Sequence, residues 1–264
     1  MGAIKSISTI ASLFLGGTAL LFASATYAAE PCQGNSTDDE MVRVGSICVD
    51  KYEASVWSDP AGMDKEYGAK KDDYPDSFPD NGNWSAKLYA VSKKDVTPSR
   101  YITWFQAQQA CAASGKRLLT NAEWQMAAIG TPDPNKDDGK SDCAIASLKQ
   151  PVKTGSRAKC VSNWGVRDMV GNLGEWVANW GHSGDTPWAP SEHADNNTAM
   201  YGEDYTVEVQ ASHIQEHSKY FPSAWIRGGS YQDGKGAGVY AIDMSRAPSD
   251  NAHINGNVGF RCAR

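Results

Sequence analysis

Residues 165–176 read Gly-Val-Arg-Asp-Met-Val-Gly-Asn-Leu-Gly-Glu-Trp. Asp168 and Glu175 bracket a bend that carries Gly171, Asn172 and Gly174. Glycine and asparagine accept the left-handed backbone that tight bends need. A bend of this kind excludes regular helix or strand at that point and turns its carbonyls inward. Carboxylates and carbonyls converging on one point form a cage for a hard cation such as Ca2+. Solvated acids on a plain Gly-Asn turn are the alternative reading of the same residues.

The chain has 264 residues, enough for one large domain or two small ones. Residues 1–28 have the layout of a secretory signal. Lys5 supplies the charge, Ile7 to Ala23 the apolar stretch, and Thr26-Tyr27-Ala28 a small-residue cleavage site. Gly16-Gly17-Thr18 interrupts the apolar run, which is short for a span, so cleavage is expected and no stable membrane anchor. Ala29-Glu30-Pro31 before Cys32 lacks the leucine and small residue of a lipid-attachment site. The expected layout is a signal over 1–28, a loose polar lead-in over 29–40 and one domain over 41–264, periplasmic or secreted.

The sequence has 25 Lys and Arg against 31 Asp and Glu; losing residues 1–28 removes Lys5 and no acid, so 24 remain against 31, a net charge of −7. Such a surface does not favour nucleic acid or anionic lipid, and no basic cluster argues otherwise.

Cys32, Cys48, Cys111, Cys143, Cys160 and Cys262 all follow the signal. An even count in an exported chain predicts disulfides, though six cysteines allow fifteen pairings. Cys32 and Cys48 are close enough to close a small loop, and Cys143 and Cys160 flank a turn-rich segment. No Cys-x-x-Cys pair is present, which argues against a zinc knuckle or thioredoxin-type site. Nine tryptophans beside twenty-five glycines predict a core of large aromatic plates held by many turns and few long elements.

Short strands are expected at Met41–Val44 and Ile47–Ala54. Residues 57–95, rich in Asp, Pro, Gly and aromatics, read as a long decorated loop whose Asp72, Asp73, Asp76 and Asp80 are read as solvated, with an ion held between them as the alternative. Thr103-Trp104-Phe105-Gln106 is a capping box opening a helix with Ala107, Ala110 and Cys111 on one face and Gly115 as its left-handed end. Thr120-Asn121-Ala122-Glu123 opens a second helix, which presents Trp124, Ala127 and Ala128 and stops at Gly130. Further strands are expected around Trp225–Arg227, at Gly238–Met244 and at the chain end.

Three short motifs carry less. Asp133 to Gly139 resembles the opening of an EF-hand, but the glycine is one place late and Ala144 stands where the closing glutamate belongs. His213-Ile214-Gln215-Glu216-His217 matches an inverted zinc-peptidase pattern without a downstream glutamate, and reads as a surface turn. Gly234, Gly236 and Gly238 do not precede a long helix, which weakens a dinucleotide site.

Several stretches, taken in order, resemble the sulfatase-modifying-factor family of formylglycine-generating enzymes. They are Cys48–Ser55, Ile102–Ala107, Gly115–Trp124, Asp168–Trp176, Arg227–Tyr231 and Gly259–Cys262. The resemblance implies an α+β, irregular, C-type-lectin-like fold with little regular structure. It implies that Cys111 pairs with Cys262. It also implies a Ca2+ site made by the Asp168 side chain, the Gly171 and Leu173 carbonyls, and Glu175.

Catalysis is where the chain departs from that family. Its enzymes carry two cysteines shortly after the Gly-Gly-Ser turn, which bind copper and oxidise a substrate cysteine. Here those places hold Asp233 and Gly238, and neither offers the soft thiolate that monovalent copper prefers. Gly174 also replaces a family tryptophan and Asp243 a family disulfide cysteine, whereas Arg246 matches an arginine of the substrate groove. The first expectation is a non-catalytic module that binds a protein, peptide or glycan through Tyr231, Gln232, Asp233, Lys235, Tyr240, Arg246, Asp250, Asn251 and His253. Related lectin-fold proteins diversify this C-terminal stretch, and the residue content here is compatible with that. The alternative is a metal-dependent enzyme or oxidoreductase of the same family, with Asp233 as ligand or base.

Overall fold

The computed structural model describes residues 31–134, 136–146, 149–182, 222–249 and 256–264. The expected signal, the 213–217 motif, and Asp250, Asn251 and His253 lie outside the described residues.

The chain runs β1 (Met41–Val44), β2 (Ile47–Asp50), β3 (Ser55–Trp57), β4 (Glu66–Tyr67), β5 (Tyr89–Val91), α1 (Trp104–Ala113), β6 (Arg117–Leu118) and α2 (Asn121–Ala128). It continues with β7 (Gly174–His182), β8 (Pro222–Arg227), a 3-10 turn at Gly234–Gly236, β9 (Ile242–Arg246), β10 (Val258–Phe260) and β11 (Cys262–Ala263). Three sheets result among the described residues, ordered β1-β2-β11-β6, β10-β7-β8-β9 and β4-β3-β5. The elements are short and the connections long, so the fold is α+β with little regular structure.

Both capping boxes form. Thr103 Oγ1 accepts from Gln106 N while Gln106 Oε1 accepts from Thr103 N, satisfying two amides that the first turn of α1 leaves over. Thr120 and Glu123 do the same for α2. Gly115 takes the expected left-handed conformation, and Gly130, where the second helix is expected to stop, takes it too. The buried faces are those read from the sequence: Ala107, Ala110 and Cys111 on α1, and Trp124, Ala127 and Ala128 on α2.

Around α1 the core gathers Phe78, Leu88, Ile102, Trp176 and Phe260; around α2 it gathers Leu119, Trp124, Met169 and Val177. Trp124 and Trp176 are sealed from water. Truncating either to alanine should cost about 3–5 kcal/mol, transfer and cavity combined.

The expectations need three corrections. Residues 57–95 are not only loop: β4 and β5 flank β3 in an antiparallel sheet, with Val56 facing Tyr67 and Ala90. The strand expected over 47–54 stops at Asp50, because residues 52–55 are all buried and lose the alternation of a half-exposed strand. The end of the lead-in is not loose. Asp39 is fully buried, and Gln33 pairs with Glu40 through an isolated bridge.

All six cysteines form disulfides: Cys32–Cys48, Cys111–Cys262 and Cys143–Cys160. The two pairs read from loop length and the one implied by the resemblance are all present. Three disulfides fit an oxidising compartment, extracellular or periplasmic.

Candidate functional site

The bend over residues 168–173 is tied to four other segments. Asn172 donates its backbone N–H to Ala144 O at 2.8 Å, and its carbonyl accepts from Tyr231 N at 2.9 Å. Its side-chain oxygen accepts from Val152 N at 2.8 Å, and its amide nitrogen donates to Glu53 Oε2. Gly171 donates to Gly228 O at 3.2 Å. A Cβ on Gly171 would lie 2.3 Å from Ala144 O, so only glycine fits. Asp168 and Asn172 both have positive φ, a conformation that Asp and Asn adopt more readily than other side chains.

Behind the bend lies a charged cluster that the sequence does not place. Arg261, from the chain end, contacts Glu175 Oε1 through Nε at 2.9 Å and Nη2 at 2.5 Å, and Oε2 through Nε at 2.8 Å. Trp124 Nε1 donates to Glu175 Oε2 at 2.7 Å. Arg261 further donates to Asp50 O at 3.1 Å and Arg167 O at 2.9 Å. Glu53 accepts from Leu173 N at 2.8 Å and from Asn172, while Asp168 Oδ2 accepts from Gly155 N at 2.7 Å. All five residues, Glu53, Asp168, Asn172, Glu175 and Arg261, are at most 2% exposed.

Burial dominates the electrostatics. It raises Glu53 well above the usual carboxylate range, and the nearby Asp168 and Glu175 charges push the same way. It raises Asp168 to about 6, against the Gly155 hydrogen bond and the Arg261 charge. Burial also works against the Arg261 charge, but its pairing with Glu175 outweighs this and holds the guanidinium above its ordinary value.

Tested against this geometry, the implied calcium ligands do not fit the ion as a set. Asp168 and Glu175 are both on the inner side of the bend, but the Glu175 carboxylate is engaged by Arg261 and Trp124. Among the described residues no three His, Cys, Asp or Glu side chains converge as a metal-holding group. The acids of the 133–142 loop are likewise spoken for. Asp138 Oδ1 accepts from the N–H groups of Lys140, Ser141 and Asp142, and Asp137 accepts from Gly139 N and Arg157.

The second region follows β8. Gly228 and Gly229 both have positive φ and swing the chain back over the bend. Tyr231 is buried, its phenol oxygen 3.5 Å from Arg100 Nη1, so it packs the loop and does not face a ligand. Asp233 Oδ2 accepts from Ser230 N at 2.7 Å, tying the residue back to the start of the loop. Burial raises its carboxyl above the usual range. Gly238 is buried and donates to Gly228 O at 3.1 Å. Gln232 and Lys235 are exposed; Tyr240 and Arg246 are half-buried, with Arg246 Nε 3.2 Å from Asp243 Oδ2. The structure therefore exposes Gln232 and Lys235 on the loop, leaves Tyr240 half-buried in it and Arg246 half-buried at the end of β9, and withdraws Tyr231 and much of Asp233.

Residues 48–264 match the model of the sulfatase-modifying factor enzyme 1-like domain. The chain belongs to this family. Among curated relatives of the sulfatase-modifying-factor chain is serine/threonine-protein kinase pkn1 of Chlamydia caviae, 26% identical over 170 residues, which make up 62% of this chain and 23% of that one. A formylglycine-generating enzyme of Thermomonospora curvata is 29% identical over 128 residues, 42% of this chain and 40% of that one. The matched regions thus span less than half the length of either relative. A solved structure of the Major Tropism Determinant U1 variant aligns over 88% of this chain and 54% of its own, at 21% identity and a TM-score of 0.50. That likeness shows the shared C-type-lectin-like fold.

Sequence reasoning missed Glu53 and Arg261, although both stand inside quoted family stretches. Two acids flanking a bend among apolar residues were a usable clue, since buried carboxylates require a cationic or N–H partner.

Proposed function

We propose that this sulfatase-modifying-factor domain is an exported, non-catalytic module that binds a protein, peptide or glycan ligand through the loop after Gly228-Gly229-Ser230. The observation that carries this reading is the state of the sulfur. The family's oxidation needs a pair of thiols in that loop. Here all six cysteines are consumed in disulfides elsewhere, and the two corresponding places are Asp233 and Gly238. Asp233 offers a hard carboxylate in place of the soft thiolate that monovalent copper prefers, and one of its oxygens already accepts from Ser230 N.

The exposed members of the loop suit adaptable polar contact, and they sit on a rigid base formed by the bend and the second sheet. The neighbour named a tropism determinant supports the scaffold only; the binding reading rests on the loop itself. The export reading is supported by the three disulfides and by the layout of residues 1–28.

Two measurements test the proposal together. Copper-loaded protein incubated with cysteine-bearing peptides should form no peptide aldehyde. Immobilised protein should retain a component of the native envelope or medium fraction, and Gln232→Ala with Lys235→Ala should weaken that retention. Aldehyde formation ends the non-catalytic reading. Retention unaffected by the double variant removes this loop as the binding face.

A further inference from the structure

A calcium cage over residues 168–175 requires Glu175, and Glu175 already has a cation. Its oxygens receive two N–H groups of Arg261, Nη2 at 2.5 Å and Nε shared between both oxygens at 2.8–2.9 Å, and one from Trp124 at 2.7 Å. A carboxylate offers about four acceptor sites, so these three donors, one of them a permanent cation, take most of them. Subtracting Glu175 leaves one carboxylate, Asp168, and the Gly171 and Leu173 carbonyls. Ca2+ takes about 6–8 oxygen ligands, far more than this remainder offers. Asp168 is itself partly committed, because one of its oxygens holds Gly155 N.

The positive charge of Arg261 is permanent under any physiological condition. Its fork also spans more than one group. It reaches Glu175 on β7, the carbonyl of Asp50 at the end of β2 and the carbonyl of Arg167 before the bend. The bend is braced independently by neutral bonds, since Asn172 alone joins Ala144, Val152, Tyr231 and Glu53.

We infer that Arg261 is the cation of this bend and that the domain holds its shape without Ca2+. The counter-charge is supplied by the residue between β10 and β11, so it arrives only when residue 261 docks against residue 175. The Cys111–Cys262 disulfide, one residue further on, fixes that docking. Completion of the bend is thus linked to chain closure, not to the ion content of the surroundings.

The test uses the full mature protein, oxidised, dialysed against EDTA and then titrated with CaCl2. Thermal unfolding should give the same Tm in both, and metal analysis should find no stoichiometric calcium after dialysis into calcium-containing buffer. A site saturated a hundredfold over its Kd would raise Tm by roughly 5–10 °C in a domain of this size, so such a rise overturns the inference. Retention of one Ca2+ per chain overturns it as well. The Arg261→Lys variant keeps the charge but loses the fork. Its Tm should fall by roughly 5 °C or more, equally with EDTA and with calcium. An unchanged Tm sinks the role given to Arg261, and if the variant does not fold, the wild-type comparison still decides the calcium question.

Discussion

Lys116 Nζ lies 2.8 Å from Asp50 Oδ1, and both side chains are shut away from solvent. Asp39 Oδ1 stands 2.6 Å from the same nitrogen, so one ammonium holds the lead-in, β2 and the turn after α1 together. Removing one member of a buried charge group leaves the others uncompensated. Lys116→Met should therefore destabilise the domain by about 3–5 kcal/mol. The midpoint of urea unfolding, at unchanged m, checks this.

The same triad predicts a pH dependence. Burial raises Asp50 to about 6, more than Lys116 lowers it. The folded chain thus keeps a proton that the unfolded chain releases between the ordinary value of 3.8 and about 6. The contribution of Asp50 to stability is full below that window and falls as pH rises through it. Asp168 has the same sign over the same range, so the wild type alone cannot isolate Asp50. Asp50→Asn should remove part of the decline between pH 4 and pH 6. Parallel midpoints for the two proteins across that range provide the check, and identical slopes would discard the assignment.

Glu123 titrates in the opposite sense. Hydrogen bonds from Arg117, at 2.7 Å to each oxygen, and from Thr120 N lower it to about 2. Its stabilisation is present above the ordinary value of 4.5 and is lost as pH falls towards 2. Thr120→Ala, which breaks the reciprocal cap, should cost about 1 kcal/mol at neutral pH. Glu123→Gln should flatten the acid limb of the stability curve.

The disulfides should rank by the loop they close. Cys111 and Cys262 are 151 residues apart, whereas the other two pairs are 16 and 17 apart. Chain-entropy arithmetic gives about 4–5 kcal/mol for the long link and about 3 kcal/mol for each short one. Paired Cys→Ala variants, compared by denaturant midpoint, should show the long link costing most. The reverse order would point to strain or residual structure in the unfolded chain.

Two glycines of the same loop should respond differently. A Cβ at Gly228 would lie 2.9 Å from Met169 O and 3.0 Å from the Trp124 ring, with φ at +87. At Gly234, φ is +58 and nothing lies within 4 Å. Gly234→Ala should cost about 1 kcal/mol from backbone conformation alone. Gly228→Ala adds a backbone clash and should cost more. Tm values for the two variants, measured side by side, decide it.

The residues that made the sequence legible act over short distances. Thr103 with Gln106 and Thr120 with Glu123 cap their helices within one turn, so pattern alone locates both helix starts. Cys32 with Cys48, and Cys143 with Cys160, close loops short enough to suggest themselves. The sequence by itself therefore determined the local frame: two capped helices, short strands, tight bends, and through its ordered motifs the family. It could not place residues that meet only after the chain has closed. Glu175 and Arg261 are 86 residues apart, Lys116 and Asp50 are 66 apart, and Glu53 meets Asn172 across 119. Burial decides which partner each of these charges takes, because a charge removed from water must find its compensation in whatever the fold brings to it. That is why Glu175 reads as one of two acids on a bend in one dimension and pairs with Arg261 in three.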